Sequence, residues 1–444
     1  MPRQLEVWLQ GEHTGTLMQI DGRLGFVYAP AWLARTAAAV PLAVPLSQSL
    51  PLRAEPFDDR ATRPFFAGLL PEGEKRRLVA QALQASRQND FALLDGIGGE
   101  CAGAVTLLEP GQTPAAPIGA GSVAAVRWLT EPDLIQLLDD LPQRPMLAGQ
   151  EGLRLSLAGA QDKLPVVVEP GQGDGAPRIG LPLFGAPSTH IMKPAIAGVD
   201  GSVVNEAFCM ALAAALNLPA APVQIRRVAD RSVLLVQRYD RTPGAGDQPP
   251  TRLHQEDFCQ ALGVPPEHKY QNEGGPALAQ AFALLRQATR PSAPHILHLL
   301  DAVVFNALIG NHDAHGKNFS LLYSAADAVV LAPLYDALCT AVYPKLSEKM
   351  AMKIGGNYRF TELMARHWEQ FARDAGLSPA QLRRRVQNIA GRLPDLARQT
   401  QVRLESEGHG HRILPAITAL IDRRCALTIK RLSAINAGTG GEPA

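Results

Sequence analysis

Phe305-Asn306-Ala307-Leu308-Ile309-Gly310-Asn311-His312-Asp313-Ala314-His315-Gly316-Lys317-Asn318-Phe319-Ser320-Leu321-Leu322-Tyr323, with Val329-Val330-Leu331-Ala332-Pro333-Leu334-Tyr335-Asp336 beyond it, is the stretch that organises the chain. The apolar positions Leu299, Leu300, Val303, Val304, Leu308 and Ile309 predict a helix running into it. Gly310–Asn318 is then a polar turn, and the two apolar runs predict a hairpin that delivers Asp336 at its far end. A knot of charge therefore sits between elements that must be buried. Chemistry is commonly carried on such a loop, held by a rigid scaffold.

Asp313 and Asn318 have the spacing of the kinase pattern D-x-x-x-x-N. Phosphoryl transfer needs one carboxylate to accept the proton of the attacking hydroxyl and, on the same loop, an oxygen ligand for magnesium. A hard cation that bridges phosphates takes a further carboxylate, and the hairpin would bring Asp336 back to Asn318. Singly, each has an ordinary reading: Asp313 as a turn residue, Asn318 as a strand entry, Asp336 as an N-cap. The ordered set carries the chemical one.

Upstream, Thr189-His190-Ile191-Met192-Lys193 ends an apolar strand in a lysine suited to phosphate oxygens, and Glu206 on the helix that follows is a partner for it. The bland alternatives are a snorkelling surface lysine and an exposed helix-start glutamate. Ser156-Leu157-Ala158-Gly159-Ala160-Gln161-Asp162-Lys163 is a small-residue turn whose backbone amides suit phosphates, with a plain hairpin as the equal alternative. Gly96-Ile97-Gly98-Gly99-Glu100-Cys101-Ala102-Gly103 fails as a phosphate fingerprint, because Cys101 stands where G-x-G-x-x-G needs glycine and a strand follows instead of a helix. It reads as a glycine turn.

A rival reading takes Gly310-Asn311-His312-Asp313 as the GNH[D/E] signature of calcineurin-like metallophosphoesterases, with Gly408-His409-Gly410-His411 as their late G-H-x-H. That site also needs an early D-x-H and a G-D-x-x-D, and neither precedes Gly310. Half a metal site binds little.

At 444 residues the chain exceeds one hydrophobic core, so two or three domains are expected. With 46% hydrophobic and 19% charged residues the composition is that of a soluble globular protein. Lys+Arg 43 against Asp+Glu 42 gives a charge of +1, which lacks the field of a protein that grips nucleic acid unaided. The five cysteines are scattered without C-x-x-C, which suggests neither a disulfide framework nor a zinc site and fits a reducing cytoplasm. Without a charged-then-apolar leader or an unbroken apolar span, neither secretion nor membrane insertion is expected.

In order, Leu5–Tyr28 predicts an antiparallel meander, Phe65–Val79 and Phe91–Leu94 helices, and Ala104–Leu108 a strand. Glu109–Gly121 reads as a linker and Glu131–Leu141 as a helix. Leu153–Lys163, Leu164–Val168 and His190–Lys193 follow as strands or strand edges, then a helix over Asn205–Leu216 and a last strand ending at Asp240. Arg241–Pro250 is a second break, after which helices dominate, with amphipathic stretches at Phe360–Ala375, Pro379–Arg392 and Ile413–Leu432. The expected division is a β-rich module over 1–110, a β-rich lobe over 111–245 and a helical lobe over 246–444.

Taken together, these motifs resemble the HipA family of bacterial serine/threonine kinases, the toxin members of toxin–antitoxin pairs. The resemblance spans almost the whole chain: Ile97-Gly98 and Gly103–Leu107, Ser156–Lys163, Thr189–Lys193, Asn205-Glu206, Arg238-Tyr239-Asp240-Arg241, Gln255-Glu256-Asp257, Lys269-Tyr270 with Gly274-Gly275-Pro276, and His315–Ser320 leading to Tyr335-Asp336. It implies an α+β, two-lobed protein-kinase-like fold with an N-terminal β-rich module. It also implies ATP and Mg2+ as cofactors, Asp313 as catalytic base, and Asn318 and Asp336 as metal ligands. Lys193 would pair phosphates with Glu206 as its supporting ion-pair partner. Ala158, Gly159, Ala160, Gln161, Asp162 and Lys163 would form the nucleotide-covering loop, with Gln237, Arg238, Tyr239 and Gln255 around adenine and ribose. His315, Gly316, Lys317, Asn318, Tyr335 and Asp336 would complete the ATP site, and Ser156 would be the serine autophosphorylated to switch the kinase off. The implied substrate is an aminoacyl-tRNA synthetase, glutamate–tRNA ligase by resemblance. The implied partner is a HipB-like helix-turn-helix antitoxin that carries the affinity for operator DNA. Gln237 departs from an acidic residue in the best-known member, and Asp336-Ala337-Leu338 lacks the glycine of D-F-G. A non-catalytic co-repressor is the alternative from another class.

Overall fold

The computed structural model describes residues 3–35, 44–114, 126–171, 177–244, 250–324 and 328–433. The chain folds into two compact units built from interleaved segments: Met1–Pro194, Arg226–Glu267 and Ser320–Val329 in the first, Ala195–Ile225, His268–Phe319 and Val330–Ala444 in the second.

The first unit opens with the expected meander, β1 (Arg3–Leu9), β2 (Glu12–Ile20) and β3 (Arg23–Tyr28). β4 (Val105–Leu108) pairs with the other edge of β1, giving the order β3-β2-β1-β4. Alternation sends Leu5, Val7, Leu9, Leu17, Phe26 and Tyr28 to one face, against Phe65, Phe66, Phe91, Leu93 and Leu94 from the helices Asp59–Gly68 and Asp90–Ile97. Each such side chain removed from water contributes roughly 1.5–3 kcal/mol.

A second sheet in this unit runs β5 (Val126–Trp128), β7 (Arg178–Pro182), β6 (Leu164–Glu169), β8 (His190–Pro194), β10 (Arg231–Gln237) and β9 (Val223–Val228), the last strand bringing the chain back in at Arg226. The helix Glu131–Asp140 starts at a capping box between Thr130 and Asp133 and lays Leu134, Leu137 and Leu138 into the core of Leu164, Val166, Leu181, Met192, Val233 and Leu235. β11 (Arg241–Thr242) pairs with β12 (Thr251–Arg252), and β13 (His254–Asp257) with β14 (Ser320–Tyr323), both antiparallel. Leu153–Lys163, expected among the strand edges, forms no strand and makes only isolated bridges, Leu155 to Glu100 and Gly159 to Pro71. Its backbone is spent elsewhere, the Ser156 amide on Glu100 O and Gly159 O on the amide of Glu72.

The second unit is helical: Ser202–Ala215, Leu278–Ala288, Ser292–Ile309, Ala365–Asp374, Pro379–Ser406 and Ile413–Ser433. β15 (Val329–Leu331) leads the chain into it, and a two-stranded hairpin, β16 (Lys349–Ile354) with β17 (Asn357–Arg359), lies within it. Ser292–Ile309 is its central helix, with Leu299, Leu300, Val304, Phe305, Leu308 and Ile309 fully buried. By length and composition it would cross a membrane, but it is a core helix, largely buried and carrying Asp301, which takes two hydrogen bonds from Arg385. Pro379–Ser406 runs well past the expected end at Arg392. Leu393, Ala397 and Leu404 continue its buried stripe, and packing outweighs the lost hydrogen bond at the internal Pro394. The helix expected over Phe360–Ala375 is shorter, Ala365–Asp374, after a 3-10 turn at Phe360–Glu362. Part of the expected linker, 115–121, and 245–249 of the second break lie outside the described residues.

Candidate active site

In the second unit the helix Ser292–Ile309 ends at Gly310, whose φ of 80° is left-handed and whose Cβ would lie 2.8 Å from Ala341 Cβ. Only glycine suits that conformation and that space, and it turns the chain into the polar loop. Asn311 braces the first bend, donating from Nδ2 to Asn306 Oδ1 at 2.9 Å and accepting the Asp313 amide on Oδ1 at 3.1 Å. His312 is buried, with Nδ1 2.8 Å from Ser347 O and Nε2 accepting from Arg424 at 2.9 Å. Burial pushes its pKa down and the Arg424 charge adds to this, so the ring acts as a neutral strut.

Asp313 is exposed, while His315, Gly316, Lys317 and Asn318 are buried behind it. A 3-10 turn at Gly316–Asn318 aims Asn318 at Asp336, and Nδ2 donates to Oδ2 at 3.3 Å. Tyr335 OH donates to Lys317 O at 2.7 Å. Asp336 itself has a φ of 57°, a left-handed conformation that aspartate tolerates better than most residues. Just beyond it, Asn205 fixes the chain by donating to Cys339 O at 3.0 Å and accepting from Cys339 N at 2.8 Å. The second unit thus brings Asp313, His315, Lys317, Asn318, Tyr335 and Asp336 into one cluster. Amide and carboxylate oxygens at Asn318 and Asp336 are the donors a hard divalent cation takes.

The first unit carries most of the other expected residues. Lys193 on β8 lies opposite Leu234 of β10 and is 6% exposed, not a snorkelling surface lysine. The loop Ala158–Lys163 closes on itself through Lys163 Nζ donating to Ala158 O at 2.8 Å, and Asp162 pairs with Lys75 at 2.6 Å. Ser156 just before it is fully buried and donates to Leu69 O at 2.7 Å. Gln237, at the end of β10, is exposed, and Tyr239 OH donates to Gln255 Oε1. Arg238 faces inward, with its guanidinium on Asp240, Glu100, Ser188 Oγ and Cys101 O. In the second unit, Glu206 is buried on the helix Ser202–Ala215.

The reading of Glu100 as part of a plain glycine turn missed its role. The side chain is buried and takes ion pairs from Arg238 at 3.1 Å, from Arg241 at 2.8 Å and from Arg252. Burial alone would push its carboxyl up, but Arg241, Arg252 and Arg238 outweigh it and hold it at about 2. Asp240 completes the cluster, paired with Arg238 at 2.7 Å and Arg241 at 3.0 Å. A carboxylate amid small apolar residues, matched by Arg238, Asp240, Arg241 and Arg252 far along the chain, was the available signal. Tyr270 was also missed as a site residue, and its OH donates to Asp313 Oδ1 at 2.6 Å.

Among the described residues no three or more His, Cys, Asp or Glu side chains cluster as a metal site. In the late G-H-x-H, His409 N donates to Leu404 O at 2.8 Å and His411 Nδ1 accepts from Ile413 N at 3.2 Å, both closing turns between helices.

Residues 5–108 match the model of the HipA N-terminal domain, and residues 155–397 that of the HipA-like C-terminal domain. The chain belongs to the HipA family. Within that family, Y4mE of Sinorhizobium fredii, which carries a kinase name, is 50% identical over 390 residues, covering 87% of this chain and 89% of the relative. The serine/threonine-protein kinase toxin HipA of Shewanella oneidensis is 29% identical over 365 residues, 79% of each chain. A solved structure of the Shewanella oneidensis HipA, HipB and operator DNA complex superposes with a TM-score of 0.80 at 25% identity, covering 98% of this chain and 99% of that one. This HipA-family chain is an α+β protein serine/threonine kinase, and its reaction is ATP-dependent phosphoryl transfer.

Proposed function

We propose that this HipA-family toxin kinase transfers the γ-phosphoryl group of ATP to a serine or threonine of an aminoacyl-tRNA synthetase, glutamate–tRNA ligase being the first candidate. The observation that carries this reading is the 3.3 Å contact between Asn318 and Asp336 beside the exposed carboxylate of Asp313. Asp313 accepts the proton of the attacking hydroxyl, while Asn318 and Asp336 would hold Mg2+. When bound, that ion neutralises phosphate oxygens and orients them. Lys193 pairs phosphate oxygens. Ala158–Lys163 covers the nucleotide, with His315, Gly316, Lys317 and Tyr335 completing its phosphate end. Gln237, Tyr239 and Gln255 flank adenine and ribose, and Arg238 contributes its backbone alone, because its guanidinium is committed to Glu100 and Asp240. In this reading 1–110 is a family-specific module, 111–245 the nucleotide-covering lobe and 246–444 the lobe of the catalytic loop.

Ser156 is the autophosphorylation site in this proposal. Its burial and its bond to Leu69 O mean that the loop must leave before the hydroxyl can react. The product, a doubly charged group, cannot regain that place, which switches the kinase off. A HipB-like helix-turn-helix antitoxin neutralises the kinase and supplies the contact with operator DNA. The relative seen with HipB and operator DNA supports this, as does a net charge of only +1. The protein works in the cytoplasm.

The test is intact mass after incubation with Mg·ATP and purified glutamate–tRNA ligase. A single phosphate is expected on the kinase, lost in Asp313→Asn and in Ser156→Ala, with a phosphate on the ligase that only Asp313→Asn abolishes. Wild type that modifies neither protein overturns the reading.

A further inference from the structure

The turn Lys269–Pro276 neither binds nucleotide nor takes a proton, yet it is tightly built. Glu273 N and Gly275 N both donate to Tyr270 O at 2.9 Å, and Gly274 adopts a φ of 95°. A Cβ on Gly275 would lie 2.3 Å from His268 O, so the backbone closes on itself where no side chain fits. What this turn presents is Tyr270. Its hydroxyl donates to Asp313 Oδ1 at 2.6 Å, and its ring stands edge-on to His315 at 5.2 Å and 85°. The neighbouring Lys269 O accepts from Gly316 N at 3.3 Å. Three separate contacts therefore tie the turn to the catalytic loop.

Beside Asp313 lies a cavity of about 440 Å3, lined by Tyr270 and Glu273 from this turn and by Leu346, Ser347, Lys349 and Tyr358. Its volume is that of a ligand site. β16, which forms part of the wall, is fastened to the same machinery: Ala351 N donates to His312 O at 2.8 Å, and Lys353 N to Gln271 Oε1 at 2.7 Å. With Lys349 set against the carboxylates of Glu273 and Asp313, the lining lacks the positive charge of a phosphate cradle, whereas its aromatic and aliphatic surfaces suit the side chains of an extended peptide.

We propose that this cavity receives the serine- or threonine-bearing segment of the protein substrate, and that Tyr270 is a positioning residue holding the Asp313 carboxylate toward the entering hydroxyl. This rests on Asp313 as the base. The acceptor oxygen forms its bond to the γ-phosphorus as the bond to the ADP oxygen breaks. The hydroxyl proton passes to Asp313, and Tyr270 keeps its own.

The experiment measures protein-bound phosphate from γ-labelled ATP, on the chain itself and on added dephosphorylated casein. Tyr270→Phe is expected to lower kcat at least tenfold with the KM for ATP within twofold, although it keeps the ring against His315. A purely structural role for the ring predicts Tyr270→Phe at the wild-type rate and only Tyr270→Leu impaired, and that result overturns the positioning role. For the cavity, all five native cysteines are buried, so Ser347→Cys offers one exposed thiol to a bulky methanethiosulfonate. Labelling is expected to cut the rate at least tenfold and dithiothreitol to restore it; an unchanged rate on labelling overturns the acceptor site. Asp313→Asn at the wild-type rate would instead remove the base reading beneath both.

Discussion

Asn318 and Asp336 meet side chain to side chain at 3.3 Å, although a hairpin separates them in sequence. Asp336 holds a left-handed φ of 57°, which asparagine also tolerates, so Asp336→Asn removes the charge while sparing the backbone. Phosphoryl transfer with Mg·ATP is expected to fall about 10²–10³-fold. The melting temperature should stay within about 2 °C of wild type. A variant that keeps full kcat would mean that the metal is held elsewhere.

Glu100→Gln tests the buried cluster. Three guanidinium groups lose their shared countercharge, and breaking a buried ion pair from one side costs about 3–5 kcal/mol. Glu109→Gln, on the exposed surface a few residues on, is the control and should stay within about 0.5 kcal/mol. Urea unfolding of the two variants gives the comparison.

Glu256 and His254, two residues apart on β13, should respond to pH in opposite senses. Burial outweighs the hydrogen bonds from Ser47, Tyr323 and the Gln48 amide and pushes the Glu256 carboxyl up to about 7. The fold thus favours its protonated form: that stabilisation is complete below the ordinary value of 4.5 and is lost as pH rises through about 7. Burial pushes His254 down to about 4, so its stabilisation is present above 6.5 and lost as pH falls from there to about 4. Glu256→Gln cancels only the first effect. Relative to wild type, the variant should gain about 2–3 kcal/mol between pH 4.5 and 7, read from urea midpoints. A constant difference across that window would show that Glu256 is ionised throughout.

Two adjacent glycines separate crowding from backbone strain. Gly275→Ala drives a methyl group into His268 O and should cost about 1–3 kcal/mol, with loss of activity as Tyr270 moves. Gly274→Ala meets nothing within 4 Å and bears only its left-handed φ of 95°, roughly 1–2 kcal/mol. Thermal melts of both, beside kinase rates, should rank Gly275→Ala the more damaging to activity.

The sequence was legible where one local rule governs. Strand alternation from Leu5 to Tyr28 marks the meander, because a period of two has a single burial solution there. The spacing of Asp313, Asn318 and Asp336 could be read because a tight loop and a hairpin are local constructions. Failures came where distant chain decides. Glu100 looked like turn filler, since its partners Arg238, Arg241 and Arg252 lie more than a hundred residues away. The helix from Pro379 was expected to stop before Pro394, but the burial of Leu393, Ala397 and Leu404 carries it through. Tyr270 carried no local sign of its bond to Asp313, which depends on a turn folding over the end of another helix.

The Glu100 cluster also bears on descent. Replacing it by apolar packing would demand several substitutions, and every first step strands a buried charge at about 3–5 kcal/mol. A domain has only about 5–15 kcal/mol to lose. Glu100, Arg238, Asp240, Arg241 and Arg252 are therefore held against drifting one at a time, and a lineage either inherits the set intact or must cross an ancestor stripped of much of its stability to abandon it.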